Sequence, residues 1–394
     1  MSISVIGAGI IGASVTYHLK KLGVKEKIDI YDRLDAPGEG STSLSAGGAR
    51  NLWSTSLNIA LTTESLKRFA EFKKETGRGI GYEKIGYLFC LYDKEYKEME
   101  KFLPEWKKKG VNAELIPAES ISDFVPGLTP EVDDEMMELM EIKSLKGALF
   151  GKDCCAINPT SCTTARFDCA KEMGGVEIHL GREVEKIIIE KGKVMGVEMT
   201  DGERVACNIC VVASGAWSGA LLKKSGVDIP IVPIKRMLFT VYLPKELGFN
   251  HIPMAIIDKG VYFRVEAGNL LVGRAKEDQK PGFDTTVENK YYEDEMNPYM
   301  QVRIPGTEYC RILSSWGGLY SVTPDNNAII GEYPGVDGLY LITGFSGHGV
   351  MESPLAGQAL AELITEGEYK TIDLSSLSIK RFEEGRLIKE TIVI

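Results

Sequence analysis

Two glycine-spaced segments, one near each end of the chain, carry the residue types best suited to chemistry. The first, Gly7-Ala8-Gly9-Ile10-Ile11-Gly12, has the G-x-G-x-x-G spacing. In that pattern the first glycine makes a tight turn, the second lets backbone approach a pyrophosphate, and the third lets a helix pack on a strand. The helix that follows offers unpaired N–H groups and the positive end of its dipole to phosphates. Asp32, twenty residues beyond Gly12, is placed to accept hydrogen bonds from ribose hydroxyls. Strand, turn, helix and acid in this order predict dinucleotide binding; a glycine-rich turn without a ligand is the plainer alternative. The second segment, Gly344-Phe-Ser-Gly-His-Gly349, also feeds a helical pattern and offers N–H donors to another electron-rich group. The first motif alone does not separate a nicotinamide from a flavin dinucleotide. The second favours the flavin, whose pyrimidine edge gains negative charge on reduction.

Single residues add candidates. Arg50 ends a Gly/Ser/Ala-rich stretch, where a fixed charge would stabilise reduced flavin or hold a substrate carboxylate; a surface ion pair is the alternative. Arg264, in Tyr262-Phe-Arg-Val265, is the next carboxylate candidate together with Tyr262, although a strand arginine is as easily solvated. His348, between two glycines, titrates near neutrality in water and could poise proton release from an amine; a hydrogen-bonded turn residue is the plainer reading. Trp217 and Trp316 flank cofactor segments but equally suit a core. Among eight cysteines the one C-x-x-C pair, Cys207 and Cys210, lies in a strand-like stretch without flanking histidines. The thiols therefore read as buried small hydrophobes, and no metal site is predicted.

The elements that must position these residues follow from periodicity. Residues 3–6 and 28–31 read as buried strands around a helix over 13–22, a βαβ unit. Residues 38–50 read as a loop and 58–74 as a helix. The stretch that follows, to about residue 141, is charged and helical with one strand at 85–92, and is not expected to touch a cofactor. A helix from residue 158 to about 174 leads into short strands at 176–179, 184–191 and 194–200, with a hairpin signal at Asp201-Gly202. An apolar strand over 205–213 ends at Ser214-Gly215. Closely spaced strands between 231 and 273 suggest an antiparallel sheet, and 339–343 is the last buried strand. The 42 glycines among 394 residues exceed the usual share of about 7%, without the proline and serine excess of disorder. With 44% apolar and 26% charged residues, the composition is that of a globular protein. The net charge of −10 argues against non-specific nucleic-acid binding. No apolar run suits a membrane span, and the first residues show no basic targeting region, so a cytoplasmic location is expected.

Five segments resemble, in order and over nearly the whole chain, the D-amino-acid-oxidase-like flavoprotein superfamily. They are Val5-Ile-Gly-Ala-Gly-Ile-Ile-Gly12, Gly40-Ser-Thr-Ser-Leu-Ser-Ala-Gly-Gly-Ala-Arg50, Val211-Val-Ala-Ser-Gly-Ala-Trp-Ser218, Thr323-Pro-Asp325 with Ile329-Ile-Gly331, and Gly344 to Gly349. That superfamily includes glycine and sarcosine oxidases, dimethylglycine dehydrogenase and archaeal proline dehydrogenase β-subunits. The resemblance implies an α/β architecture: a Rossmann-like FAD-binding domain (1–78, 144–230, 318–394) interleaved with a substrate domain (79–143, 231–317) on a mostly antiparallel sheet. It implies FAD with its adenosine half on Gly7, Gly9, Ile10, Ile11, Gly12, Asp32 and Arg33. Ser41, Thr42, Ser43 and Ser45 would lie near the pyrophosphate, Val184 against adenine, and Ser214, Gly215 and Trp217 beside the cofactor. Ala46, Gly47, Gly48 and Gly318 would border the isoalloxazine, with Gly344, Ser346, Gly347, His348, Gly349, Val350 and Met351.

Departures from the pattern carry further information. The attachment cysteine of monomeric sarcosine oxidases is replaced in Gly318-Leu319-Tyr320, and no histidine lies near the early loop, so non-covalent FAD is predicted. The lysine that promotes reaction with oxygen in sarcosine oxidases is matched by Leu271. The usual carboxylate-binding positions hold Trp53, Met351 and Tyr320, a clamp lost or rebuilt. These changes favour a dehydrogenase. The expected reaction is hydride transfer from the α-carbon of an amine or amino acid to flavin N5, giving an imine. A secondary amine such as sarcosine, dimethylglycine or proline is the preferred substrate class. A hydroxy-acid dehydrogenase and an electron-relay subunit of a larger complex are the alternatives. The electron acceptor stays open, as does the choice between a homo-oligomer and a subunit of a hetero-oligomeric dehydrogenase.

Overall fold

Ile3–Ile6, Ile28–Tyr31 and Ile209–Val212 are short runs buried at every position, the pattern of parallel strands covered by helices on both faces. In the computed structural model, which describes residues 2–392, they form the middle of a six-stranded sheet. Its order is Ile329–Glu332, Leu339–Thr343, Ile209–Val212, Ile3–Ile6, Ile28–Tyr31, Val176–His179. Neighbours are parallel except the first two strands, which are antiparallel. Val5 lies opposite both Ile30 and Val211, so the register is set by apolar side chains near the middle of the sheet.

The helix Ile10–Lys21 leaves the first strand and is covered by Pro159–Glu172 and Gly349–Glu366. Contact with Gly349–Glu366 is close: a Cβ on Gly357 would fall 2.3 Å from Ser14 Oγ, and that hydroxyl donates to Ser353 O at 2.6 Å. Val184–Glu190, Lys193–Met199 and Arg204–Ala206 form a separate three-stranded antiparallel sheet.

The second large sheet has eight strands, ordered Ile312–Val322, Val232–Val241, Asn269–Arg274, Tyr262–Glu266, Met254–Ile256, Tyr87–Leu91, Gly147–Gly151, Ala113–Pro117. Every pair is antiparallel except Met254–Ile256 with Tyr87–Leu91. Side chains alternate between faces. Phe239, Val272, Phe263, Ala255 and Leu88 pack into a core closed by Tyr292, Met296 and Met300, which belong to or flank the helices Asn289–Glu295 and Asn297–Arg303. Arg236, Leu238, Gly273, Tyr262 and Gly318 share the opposite face through direct cross-strand pairing, with Tyr320 two residues along from Gly318. That face looks toward the six-stranded sheet and carries the functional candidates.

Gly147–Gly151 and residues 318–322 belong to the eight-stranded sheet, so divisions at 144 and 318 cut into it; about 152 and 323 respect the pairing. The strands Ala113–Pro117 and Gly147–Gly151 were not legible, being short and bounded by proline or glycine. The charged stretch before residue 141 contains the helix Asp134–Met140, none of whose side chains is buried. Seven cysteines are buried, Cys90 is partly so, and none is paired. Among the described residues, no helix is long and apolar enough to cross a membrane.

Candidate functional site

Between the two large sheets runs a cleft lined by residues of both. Its floor at one end is the turn after the first strand. Gly7 there has φ +113°, and a Cβ on it would fall 2.5 Å from Ala213 O. A Cβ on Gly12 would fall 2.0 Å from Gly7 O, so the third glycine of the motif serves helix packing and stays behind the cleft wall. The helix Ile10–Lys21 begins without a side-chain cap at Gly9 and without an acid in its first turn. Ile10 N–H donates to Thr42 Oγ1 at 3.1 Å. Asp32 is fixed at the cleft edge by accepting from Ala8 N at 2.7 Å and Leu34 N at 2.9 Å.

Gly7, Gly9, Ile10, Ile11, Asp32 and Arg33 all line this end of the cleft. Ser41, Thr42, Ser45 and Ala46 also line it, as do Ser214, Gly215, Trp217 and, on the small sheet, Val184. Trp217 is sandwiched, with the Arg33 guanidinium 4.3 Å from its ring centre and the Phe283 ring stacked at 6.2 Å. At the far end lie Gly318, Tyr262, Tyr320, Gly347, Gly349 and Val350. No residue between Ala46 and Arg182 lines the cleft.

Other candidates lie elsewhere. Ser43 is exposed, and its hydroxyl donates to Glu39 O and Gly40 O. Gly47, Gly48, Gly344, Ser346 and Met351 sit behind the wall. Ser346 Oγ, for example, accepts from Thr323 N at 3.2 Å and so braces the turn from outside. Arg264, read from sequence as a carboxylate receptor, uses its donors on protein instead. Nε and Nη2 both reach Ala46 O, at 3.1 and 2.9 Å, and Nη2 also pairs with Glu266 at 2.8 Å.

One functional candidate was missed. Arg236 lines the far end, its guanidinium 5.4 Å from the Tyr320 ring centre, with a single hydrogen bond, to Lys235 O at 3.1 Å. The Lys235-Arg236 pair gave no sequence signal, because only strand register decides which of the two faces the cleft. Lys235 faces away and binds Asp284 and Glu288.

A cleft onto which two helices open, neither capped by the side chain of its own N-cap residue, with an acid beside the first of them, suits an extended dinucleotide. The family model described as "FAD dependent oxidoreductase" (DAO) matches residues 2–363. The chain belongs to the DAO family of FAD-dependent oxidoreductases. It is 28% identical to FAD-dependent oxidoreductase domain-containing protein 1 of Xenopus laevis, covering 99% of this chain and 84% of that protein. It is 25% identical to glycine oxidase of Geobacillus kaustophilus, covering 96% of each. The crystal structure of L-proline dehydrogenase from P. horikoshii superposes with TM-score 0.86 at 29% identity, covering 98% of this chain and 99% of that one.

In this DAO-family protein the two remaining candidates, buried Arg50 and half-buried His348, both pack on Trp53 outside the cleft lining. Arg50 is 2% exposed, donates to Leu52 O and to Ile392 O, and lies 3.7 Å over the Trp53 ring. It is thus neither a surface ion pair nor a group reaching into the cleft. His348 packs edge-on against Trp53 at 4.6 Å. Burial, then the Arg50 charge, push its pKa down to about 3, so it does not titrate near neutrality as its type suggested. One turn along, buried Glu352 is pushed up to about 8 by desolvation, partly opposed by Arg50. The folded protein therefore holds a proton on Glu352 between about pH 4.5 and 8 that the unfolded chain releases, so this residue lowers stability as pH rises through that window. At about 1.4 kcal/mol per unit the penalty reaches about 4 kcal/mol at the upper end. Glu352→Gln is expected to raise Tm by about 3–6 °C at pH 8 and by less than about 1 °C at pH 4.5, measured by differential scanning fluorimetry.

The Asp29, Glu177 and His179 cluster at the sheet edge has metal-ligand spacing, but Lys27 already bridges its carboxylates at 2.9 and 2.7 Å.

Proposed function

We propose that this flavoenzyme oxidises the α-carbon of an amino acid or other carboxylate-bearing amine, with Arg236, Tyr262 and Tyr320 as the rebuilt carboxylate clamp. The placement of Arg236 carries this reading: it lines the cleft beside Tyr320, and no carboxylate of the described residues is ion-paired with it. Burial pushes the Tyr262 and Tyr320 phenols up, so both stay protonated and able to donate. Tyr320 packs so closely on Gly347 that a Cβ there would fall 2.2 Å from its ring, which puts an anchored carboxylate next to the C-terminal glycine turn.

Bound FAD supplies the two-electron acceptor. The substrate's α-C–H bond would break with loss of its electron pair as the nitrogen lone pair forms the C=N bond, and water would hydrolyse the imine. Arg236, Tyr262 and Tyr320 include no histidine or carboxylate to serve as a base, so the substrate would react as its free amine. A hydroxy acid would need a base for its O–H proton, which favours the amine reading. The likeness to a glycine oxidase and an L-proline dehydrogenase supports small amino acids with a primary, secondary or tertiary amine, with sarcosine, dimethylglycine and proline first. Leu271, buried two residues from Gly273 where sarcosine oxidases carry their oxygen-promoting lysine, supports a dehydrogenase. The cleft lining contains neither cysteine nor histidine, which supports non-covalent FAD.

Anaerobic mixing with sarcosine, dimethylglycine, proline, glycine and lactate tests the reading. Bleaching of the flavin band by at least one amine and not by lactate is expected. Bleaching by lactate alone, or by none of the five, overturns it. Admitting air then separates oxidase from dehydrogenase by the speed of recolouring.

A further inference from the structure

The loop over residues 45–48 is held more firmly than a cofactor wall requires. Ala46 O takes two hydrogen bonds from Arg264, which is only 7% exposed. The same peptide unit donates from its other end, Gly47 N–H, to Ser45 Oγ at 3.1 Å. Gly47 has φ +68°, and a Cβ on it would fall 2.3 Å from Ile157 O, so only glycine fits at this turn, and the hydrogen bonds at both ends of the peptide fix its orientation. Ser45 Oγ accepts this bond yet has no protein acceptor for its own proton among the described residues, and Ser45 lines the cleft.

We propose that Arg264, the Ala46–Gly47 peptide and Ser45 form a hydrogen-bond relay that delivers the guanidinium charge to the Ser45 hydroxyl, which donates to the flavin ring of bound FAD and not to the pyrophosphate that the resemblance implied for it. Each bond in such a chain polarises the next, and an ionised donor at its head makes the terminal hydroxyl a stronger donor. A stronger donor favours the reduced, more electron-rich cofactor over the oxidised one. Arg264 is then a positioning residue that tunes the flavin without touching it. Glu266, 49% exposed on the outer side of Nη2, partly offsets its charge.

The proposal rests on FAD occupying this cleft and is independent of the substrate. The test is therefore the reduction potential of bound FAD in wild type, Arg264→Met, Arg264→Lys, Ser45→Ala and the double variant Arg264→Met/Ser45→Ala, with Tm measured alongside. Ser45→Ala is expected to lower the preference for reduced over oxidised FAD about tenfold, or about 30 mV for a two-electron couple. Arg264→Met is expected to do the same, the double variant no more than either single one, and Arg264→Lys to retain part of the effect. An unchanged potential in Ser45→Ala overturns the relay, as do additive shifts in the double variant. A fall in Tm without a change of potential in Arg264→Met reduces Arg264 to a structural brace. If Arg264→Met loses FAD, Arg264→Lys with Ser45→Ala decides: a lysine potential outside the range between wild type and Ser45→Ala overturns the proposal.

Discussion

Arg236→Met is expected to lower kcat/KM for a carboxylate-bearing amine about 10³-fold, with flavin content and Tm close to wild type. The guanidinium spends one bond on Lys235 O and otherwise faces the cleft. Its strand position is secured without it by pairing on both sides, with Gly317-Gly318 on one edge and Arg274 on the other through neighbouring Met237. Removing one partner of a desolvated, hydrogen-bonded charge pair costs about 2–5 kcal/mol, and each 1.4 kcal/mol is tenfold. Arg236→Lys should recover only part, because an ammonium does not reproduce the two parallel bonds of a guanidinium to a carboxylate. Stopped-flow reduction by amines with and without a carboxylate measures this. Equal losses for both kinds of amine would mean that Arg236 shapes the cleft and does not read the carboxylate.

Gly12→Ala is expected to yield protein holding less than a tenth of the wild-type FAD and melting at least about 5 °C lower. The new methyl would lie 2.0 Å from Gly7 O, so helix and turn must separate by more than an ångström. The helix has nowhere to retreat, because Gly357 on the covering helix already abuts Ser14. Overpacking of this kind typically costs about 1–3 kcal/mol and more where backbone meets backbone. Gly9→Ala provides the contrast: its Cβ would meet only the Thr42 hydroxyl, at 3.2 Å, so Tm should move far less. Absorbance of the purified variants and a thermal scan suffice. Full flavin content in Gly12→Ala would show that the helix can shift after all.

What the sequence made legible and what it hid divide along one physical line. The glycine turns were readable because their conformational demands are local: Gly7, Gly9 and Asp32 fall where spacing places them. The antiparallel nature of the second sheet was readable from alternation and short connections. Side-chain destinations that depend on distant chain were not. Arg50 looked free because its partner Ile392 lies 342 residues away. Arg264 looked free because Ala46 lies 218 residues before it. Arg236 was passed over because its direction is fixed by pairing with Gly318, and nothing in its own neighbourhood separates it from Lys235.

The order of the six-stranded sheet has a consequence for synthesis. Its central strands come from residues 3–6 and 209–212, and the flank beside 209–212 comes from 339–343. The helix Ile10–Lys21 is covered by Gly349–Glu366. At roughly 5–20 residues per second, the ribosome releases that cover roughly 20–70 s after the helix it protects. During this interval the phosphate-binding turn is complete as a sequence but has an unshielded apolar flank. Cofactor capture is therefore expected to come after the last helix is made, so nascent chains arrested before residue 349 should bind no FAD.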